Sequence, residues 1–305
     1  MSVISIGAVL WDIFDDARHI GGAPFNFSAH ATRLGQRVWF VSAVGRDELG
    51  AATLQRIREL GLDARYVRTV GDAPTGTVRV FLKDGQPSFT INRPAAYDFL
   101  AVSDQELAAL RAEQPRWVYF GTLEQMDRRV REQTRRIIAA NPQAQTFYDI
   151  NLRKDSYTPA LVAELLRETA VLKINDEEVE AVLKMLGERS LPLAEFCATY
   201  ARRFGWRVVC VTRGANGCAL WRAGEYVEAP GYRVTVADAV GAGDAFGAAL
   251  LHGLEQKWAL AEIADFANRL GALVASRSGA IPPWTMAEVL NMERKGDIHV
   301  SSVET

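Results

Sequence analysis

Short strand-forming runs alternate with segments of helical periodicity along the chain from residue 101 onward, and this alternation limits the folds available to it. Segments such as 127–141 and 159–168 space their apolar residues as an amphipathic helix does. A strand, a crossover helix and a second strand favour parallel pairing, because parallel strands need a long connection. The sequence therefore predicts an α/β fold with a central, mostly parallel sheet flanked by helices, whose strands include 116–120, 145–148, 170–174 and 207–211.

One region interrupts this rhythm. Residues 75–91 alternate as two strands around Asp84-Gly85, which is a hairpin signal with no helix after it. Together with Trp11 to Gly22 they could form a small antiparallel flap, so we expect lid segments near 11–22 and 75–98. A lid would exclude water from a reaction, although an ordinary surface hairpin has the same pattern.

The domain organisation is predicted from the absence of a linker sequence. No linker rich in Pro, Gly or Ser divides it, so we expect a single α/β domain over residues 1–291. Residues 292–305 are polar and without clear periodicity, which is typical of a flexible tail.

Composition narrows the class of partner. The net charge of −2 gives no electrostatic reason to expect nucleic acid or an anionic membrane. No basic segment precedes the first apolar run, and no apolar run approaches the ~20 residues of a membrane span. Three cysteines without a CxxC pair suit free thiols in a reducing compartment. We expect a cytoplasmic protein that binds small molecules.

A glycine-rich turn at 238–244 is the strongest chemical signal. It lies between a strand-like run and a helix-forming run, so the free N–H groups of the helix start would favour a phosphate. Asp244 would be repelled by that phosphate unless it had a chemical role. We interpret it as the base that takes a proton from a substrate hydroxyl during phosphoryl transfer. An aspartate near a helix N-cap is the alternative interpretation.

Two other phosphate-binding loops do not match. A Walker A loop needs Lys and then Ser or Thr after its last glycine, whereas Asp244 follows Gly243. The dinucleotide fingerprint has two residues before its third glycine, and here three separate Gly243 from Gly247.

Two further motifs could contact a sugar or a phosphate. Gly21 and Gly22 allow close approach of a ligand, and Asn26 offers a donor and an acceptor to sugar hydroxyls, although a helix cap also explains the glycines. Asp149, Asn151 and Arg153 follow a strand and would project on one side if the chain stays extended. Arg153 could then bind a phosphate bidentately; a solvated loop is the alternative.

Two motifs suit a nucleotide and its metal. Asn175 and Glu178 would share a face of a helix turn, and one amide with one carboxylate is enough to hold hydrated Mg²⁺. Helix capping explains the same pair. The turn from Thr212 to Gly217 is glycine-rich and follows a strand, which suits a ribose or phosphate or, alternatively, the start of a hairpin.

The chain resembles the ribokinase-like (PfkB) carbohydrate kinases along nearly its full length. The matching motifs occur in the family's order, and the last is the family's most specific signature: 21–26, 149–153, Asn175 with Glu178, Thr212 with Gly214, and 241–244. Residues 7–14, 148–153 and 172–178 look most like the bacterial fructokinase branch.

This resemblance implies a β lid over a sugar and transfer of the ATP γ-phosphoryl group to a hydroxymethyl oxygen. It implies catalysis by Asp244 and Arg153, with an anion hole formed by the amides of Gly241, Ala242 and Gly243. The sugar-binding residues would be Asp12, Gly22 and Asn26, and we add Arg93 and Asn151 as candidate substrate contacts. The nucleotide would lie along Asn175, Thr212, Gly214, Gly217 and Asn268, with Mg²⁺ held through water by Asn175 and Glu178.

Some residues depart from the family pattern. The family often binds K⁺ near Asp238 and Val240 and the loop at 277–279, but Ala239 replaces the usual threonine and Pro283 stands where serine is common. K⁺ dependence therefore stays open. Arg93 stands in a segment where the fructokinases usually carry an acidic residue, so it could face an acidic or phosphorylated acceptor.

Fructose is the expected acceptor. A 2-keto-3-deoxygluconate, ribose or nucleoside kinase, or a sugar- and nucleotide-binding regulator without catalysis, are the alternatives. Lid strands with exposed edges could pair between two subunits, so a homodimer is expected.

Overall fold

The computed structural model describes residues 2–14, 17–83 and 86–293. Its strands, numbered in chain order, are β1 (Ser2–Ile6), β2 (Leu10–Ile13), β3 (Arg18–Gly21), β4 (Arg37–Gly45), β5 (Val67–Val70), β6 (Gly76–Lys83), β7 (Gln86–Ile91), β8 (Trp117–Gly121), β9 (Gln145–Asp149), β10 (Val171–Asn175), β11 (Val208–Thr212), β12 (Cys218–Arg222) and β13 (Glu225–Ala229). Its helices are α1 (Ala23–Arg33), α2 (Glu48–Glu59), α3 (Asp104–Ala112), α4 (Arg128–Ala140), α5 (Pro159–Arg167), α6 (Asp176–Met185), α7 (Leu193–Phe204), α8 (Ala242–Glu255), α9 (Leu260–Ala275) and α10 (Met286–Leu290).

The central sheet has nine strands in the order β13-β12-β11-β10-β9-β8-β1-β4-β5. The strands from β11 to β5 pair in parallel, whereas β12 and β13 add an antiparallel hairpin at one edge. The predicted α/β class with a mostly parallel sheet is confirmed. The chain starts in the middle of this sheet, extends to one edge and returns to the other, so the carboxyl ends of β1 and β8 to β11 face one crevice.

Successive residues of the parallel strands enter two different cores. Val3 and Val171 pack with α1, α8 and α9 on one face, while Ile4, Leu172 and Ile174 pack with α4 to α7 on the other. Both faces of each central strand are apolar because helices cover both. Polar chemistry is consequently displaced to the loops at the strand ends.

The lid is a separate four-stranded sheet in the order β3-β2-β6-β7. Its hairpins β2/β3 and β6/β7 are antiparallel, as expected, but β2 and β6 pair in parallel. The prediction of a purely antiparallel flap was therefore wrong. Between β3 and β6 the chain passes through α1, β4, α2 and β5 in the body, and a connection of that length allows a parallel return. The predicted turn at Asp84-Gly85 lies outside the described residues, as do residues 294–305 of the predicted tail 292–305.

The helix starts follow ordinary capping rules. Ser103 and Glu106 form the reciprocal hydrogen bonds of a capping box at α3, and Pro24 occupies the first turn of α1. Within the described residues, no helix combines the length and the apolar character required to cross a membrane.

Candidate active site

Asp244 lies in the first turn of α8 and is held there by a residue from the other end of the chain. Its Oδ2 accepts a hydrogen bond of 2.8 Å from Asn26 Nδ2 on α1. Asn26 is buried, so the amide fixes the orientation of the carboxylate.

The environment of Asp244 makes it a usable base. Burial and then the nearby charge of Asp149 raise its pKa to about 6, against the opposing effects of the Asn26 hydrogen bond and of the charges on Lys173 and Arg153. A carboxylate with a pKa near the working pH binds a transferred proton better than an ordinary aspartate does.

Two loops meet at the N-terminus of α8. Asp238 joins them, because its Oδ1 accepts from the Val240 amide at 3.0 Å and its Oδ2 accepts from the Gly279 amide at 3.1 Å. Gly241, the N-cap, has a φ of +80°, and a Cβ built on it would lie 2.3 Å from the Ala280 carbonyl oxygen. The residues expected near K⁺ are therefore brought together, and binding of that ion stays a prediction.

The start of α8 has the free backbone amides that the expected anion site requires, and binding of an anion there stays a prediction. The first amides of an α-helix have no acceptor within the helix, and α8 is 14 residues long with Gly243 exposed beside Asp244. The Ala242 amide makes one long contact of 3.4 Å to the Ala239 carbonyl. The positive end of α8 thus lies next to the candidate base.

The motif at 149–153 does not stay extended. β9 ends at Asp149, and Asn151 has a φ of +39°, so the expectation that alternate residues project on one side was wrong. Asp149 turns inward, where both its oxygens accept from Lys173 Nζ at 2.9 Å. Arg153 is exposed, and its charge acts on the carboxyls of Asp244 and of Asp12.

Asp12 brings the lid into the same site. Burial raises the pKa of Asp12, the charges of Arg153 and His19 lower it, and that of Asp238 raises it. Asp12 therefore lies within electrostatic range of Arg153 and Asp238. Gly22, the N-cap of α1 directly after β3, has a φ of +111°, and a Cβ there would lie 2.6 Å from the Ala8 carbonyl oxygen.

Asn175 and Glu178 form a capping box at the start of α6. The Glu178 carboxylate accepts from the Leu152 amide at 2.7 Å and from the Asn175 amide at 2.9 Å, and burial raises its pKa against these bonds. Each carboxylate oxygen has a lone pair left over for a water ligand. The pair therefore fits a hydrated Mg²⁺, which needs few protein donors; the described residues contain no cluster of three or more His, Cys, Asp or Glu side chains suited to a metal.

The expected nucleotide residues lie at the ends of β11 to β13 and on α9. Gly214 has a φ of +53° with open space around it. A Cβ on Gly217 would lie 2.0 Å from the Ala229 carbonyl oxygen, and Asn268 Nδ2 donates to the carbonyls of Ala229 and Pro230 at 3.4 and 3.3 Å. Packing thus accounts for Gly217 and Asn268, and their contact with a nucleotide stays a prediction, as does that of Thr212.

Arg93 is held at the base of the lid. Its guanidinium forms an ion pair with the buried Asp98 and donates to the Leu123 carbonyl at 3.0 Å. Its predicted contact with an acceptor is not needed to explain its position and stays a prediction.

Comparison with known proteins assigns the chain to a protein family. The model of the pfkB family carbohydrate kinases matches residues 12–286, so the chain belongs to that family and is a carbohydrate kinase, as the resemblance predicted. Aminoimidazole riboside kinase of Salmonella typhimurium is 30% identical over 287 residues, covering 89% of this chain and 86% of that protein. Fructokinase of Escherichia coli is 29% identical over 289 residues, covering 90% and 91%.

A solved structure has the same fold. The crystal structure of aminoimidazole riboside kinase from Salmonella enterica, complexed with aminoimidazole riboside and an ATP analog, has a TM-score of 0.77 at 25% identity. The match covers 96% of this chain and 100% of that one.

Gly241→Ala tests the contact between α8 and the loop at 280. The new Cβ would clash with the Ala280 carbonyl and strain a left-handed backbone, so we expect a larger loss of unfolding free energy than the roughly 1–2 kcal/mol of backbone strain alone. Gly279→Ala is the matched control, because Gly279 has a φ of +81° and nothing within 4 Å of its built Cβ. Equal losses in urea unfolding of the two variants would contradict the expected contact.

Proposed function

We propose that this carbohydrate kinase transfers the γ-phosphoryl group of ATP to a hydroxymethyl group of a sugar, with fructose as the acceptor. The observation that carries the proposal is Asp244 at the start of α8, oriented by Asn26 at 2.8 Å. A protein that only binds sugar and nucleotide gains nothing from a carboxylate at an anion site, because the phosphate would be repelled.

The reaction follows from this geometry. The acceptor hydroxyl lies between Asp244 and the γ-phosphorus, and Asp244 takes its proton as the oxygen attacks. A bond forms between that oxygen and the γ-phosphorus, while the bond from the γ-phosphorus to the bridging oxygen of ADP breaks. The amides of Gly241, Ala242 and Gly243 stabilise the charge on the transferring group, and Arg153 supplies a guanidinium at the same face.

The expected metal has a limited role in this proposal. Mg²⁺, held through water by Asn175 and Glu178, would neutralise charge on the phosphates. Thr212 and Gly214, at the carboxyl end of the neighbouring strand, lie where the rest of ATP would run. The crystal structure of the Salmonella enterica relative contains an ATP analog, which supports ATP as the donor.

The choice of acceptor depends on two relatives whose sequence identity to this chain is nearly equal, at 30% and 29%. The Escherichia coli relative is named a fructokinase and the Salmonella typhimurium relative a riboside kinase. The bacterial fructokinase features at residues 7–14, 148–153 and 172–178 favour fructose. A riboside is the second candidate, since it also offers a hydroxymethyl group.

An assay of ADP release with a panel of acceptors tests this order of preference, in which fructose is first and a riboside is second. We expect the highest kcat/KM with fructose, and lower values with ribose, 2-keto-3-deoxygluconate and ribosides. A riboside that exceeds fructose would replace the acceptor while leaving phosphoryl transfer in place. ADP release that no acceptor stimulates would count against the kinase proposal itself.

Asp244→Asn tests the base. The amide keeps the size of the side chain but cannot take a proton, so we expect kcat to fall by about 10²–10⁴-fold. ATP binding measured by calorimetry should persist. Asp72→Asn, at an exposed position, is the control and should keep full activity; a similar kcat for both variants would remove Asp244 from the chemistry.

The pH dependence of kcat/KM gives a separate test. Because the pKa of Asp244 is raised to about 6, the base is ionised above that pH and protonated below it. We expect kcat/KM to fall about tenfold per pH unit below pH 6, and to be level between pH 7 and 8. An acidic limb centred near pH 4 would show that burial and Asp149 do not act on the base.

A further inference from the structure

We propose that the buried ion pair of Asp149 and Lys173 is a positioning element for Asp244: it holds the first turns of α8 against the sheet and sets the electric field beneath the catalytic carboxylate. The inference rests on the proposed role of Asp244 as base. It assigns a role to Lys173, which sequence analysis did not single out as a site residue.

The pair is formed by adjacent strands. Lys173 on β10 lies directly opposite Asp149 on β9 in the parallel register, and its Nζ donates to both carboxylate oxygens at 2.9 Å. Both residues are buried, with exposures of 7% and 2%. The contact of the Lys173 ammonium group with both oxygens of this buried carboxylate is the geometry of a buried ion pair.

Helix α8 passes directly over this pair. A Cβ built on Gly243 would lie 3.7 Å from Lys173 Nζ, and one built on Gly247 would lie 3.5 Å from Lys173 Cδ and 3.7 Å from Asp149 Oδ2. These two glycines are one helical turn apart and share a face. The ammonium group therefore lies on the side of α8 to which the Cβ position of Gly243, the residue before Asp244, is directed.

A second chain of contacts links the pair back to α1. Tyr119 on β8 donates from its hydroxyl to Asp149 Oδ2 at 3.1 Å. The Tyr119 ring stacks on Phe27 with centroids 3.7 Å apart and an angle of 8° between planes. Phe27 follows Asn26, whose amide holds Asp244. These contacts thus link the Asp149–Lys173 pair to α1, the helix that carries Asn26.

The groups that influence the pKa of Asp244 come from β9, β10, α1 and the loop after β9. Asp149 on β9 favours protonation of Asp244, whereas Lys173 on β10 and the Asn26 hydrogen bond from α1 favour ionisation, as does Arg153 after β9. Tyr119 on β8 stays neutral, because burial and then the charges of Asp149 and Asp244 raise its pKa. Asp149 therefore makes Asp244 a stronger base, and Lys173 keeps that effect from protonating it at neutral pH.

Two variants separate this role from a merely structural one. Asp149→Asn leaves Lys173 as an unopposed cation beneath Asp244, so the titration midpoint of Asp244 should fall by about one pH unit or more. Asp149→Asn combined with Lys173→Met removes both charges. Because the lowering effect of Lys173 is then lost as well, the Asp244 midpoint in the double variant should lie between its values in Asp149→Asn and in the wild type. The midpoints are measured from the carboxyl carbon resonance of carbon-13-labelled aspartate, assigned by its loss in Asp244→Asn.

Kinetics provide the second readout. In Asp149→Asn the acidic limb of kcat/KM for fructose should move to lower pH by the same amount, while kcat on the level part falls because the base is weaker. Glu113→Gln is the control, since Glu113 pairs with Arg37 on the surface at 2.8 Å, and it should move neither quantity.

The outcomes are distinct. An Asp244 midpoint that is unchanged in Asp149→Asn, or no higher in the double variant than in Asp149→Asn, overturns the proposal, even if activity is lost. Unfolding is recognised by near-ultraviolet circular dichroism, and the resonance assay needs no acceptor. The two proposals can also fail separately. If the Asp244 midpoint shifts in Asp149→Asn but the Asp244→Asn variant keeps full activity, the proposed base is refuted and the effect of the ion pair on Asp244 stands.

Discussion

The parallel sheet, covered by helices on both faces, is the constraint on which the rest of the structure depends. Because Val3 and Ile4, or Val171 and Leu172, enter opposite cores, most side chains within the central strands are apolar. Polar residues therefore collect where the strands end, at Asp149, Asn175 and Thr212 on three adjacent strands. The crevice follows from the way the sheet is built, and α8 closes it with the positive end of its dipole.

Electrostatics within that crevice are balanced between opposite charges. A lone carboxylate at a helix start would have a low pKa and be a weak base, whereas a carboxylate buried beside another carboxylate would remain protonated. Asp244 lies between these limits. Burial and then the charge of Asp149 raise its pKa, whereas the Asn26 hydrogen bond and the charges of Lys173 and Arg153 lower it. The lid adds Asp12 to the same field, since the charge of Arg153 also lowers the pKa of that carboxyl against the effect of burial.

The candidate site was predictable to the extent that it depends on short motifs. The turn at 238–244 could be interpreted as an anion site from its glycines and from Asp244. The spacing of Asn175 and Glu178 indicated either a helix cap or a site for hydrated Mg²⁺. Lys173 was not found as a site residue, although a lysine in the apolar run 170–174 was a usable signal. Its significance depends on Asp149 across the strand register, and the register belongs to the sheet rather than to either segment.

The sequence by itself determined the α/β class, the four strands predicted at 116–120, 145–148, 170–174 and 207–211, the glycine turn before α8 and the family, because periodicity and local motifs depend on near neighbours in the chain. Only the tertiary structure decided that Asn26 holds Asp244 over a separation of 218 residues, that Asp149 turns inward, and that β2 and β6 run parallel. Those features depend on which surfaces pack together and on a positive φ at Asn151. Neither packing nor an unusual backbone angle at a residue other than glycine is specified by spacing along the chain.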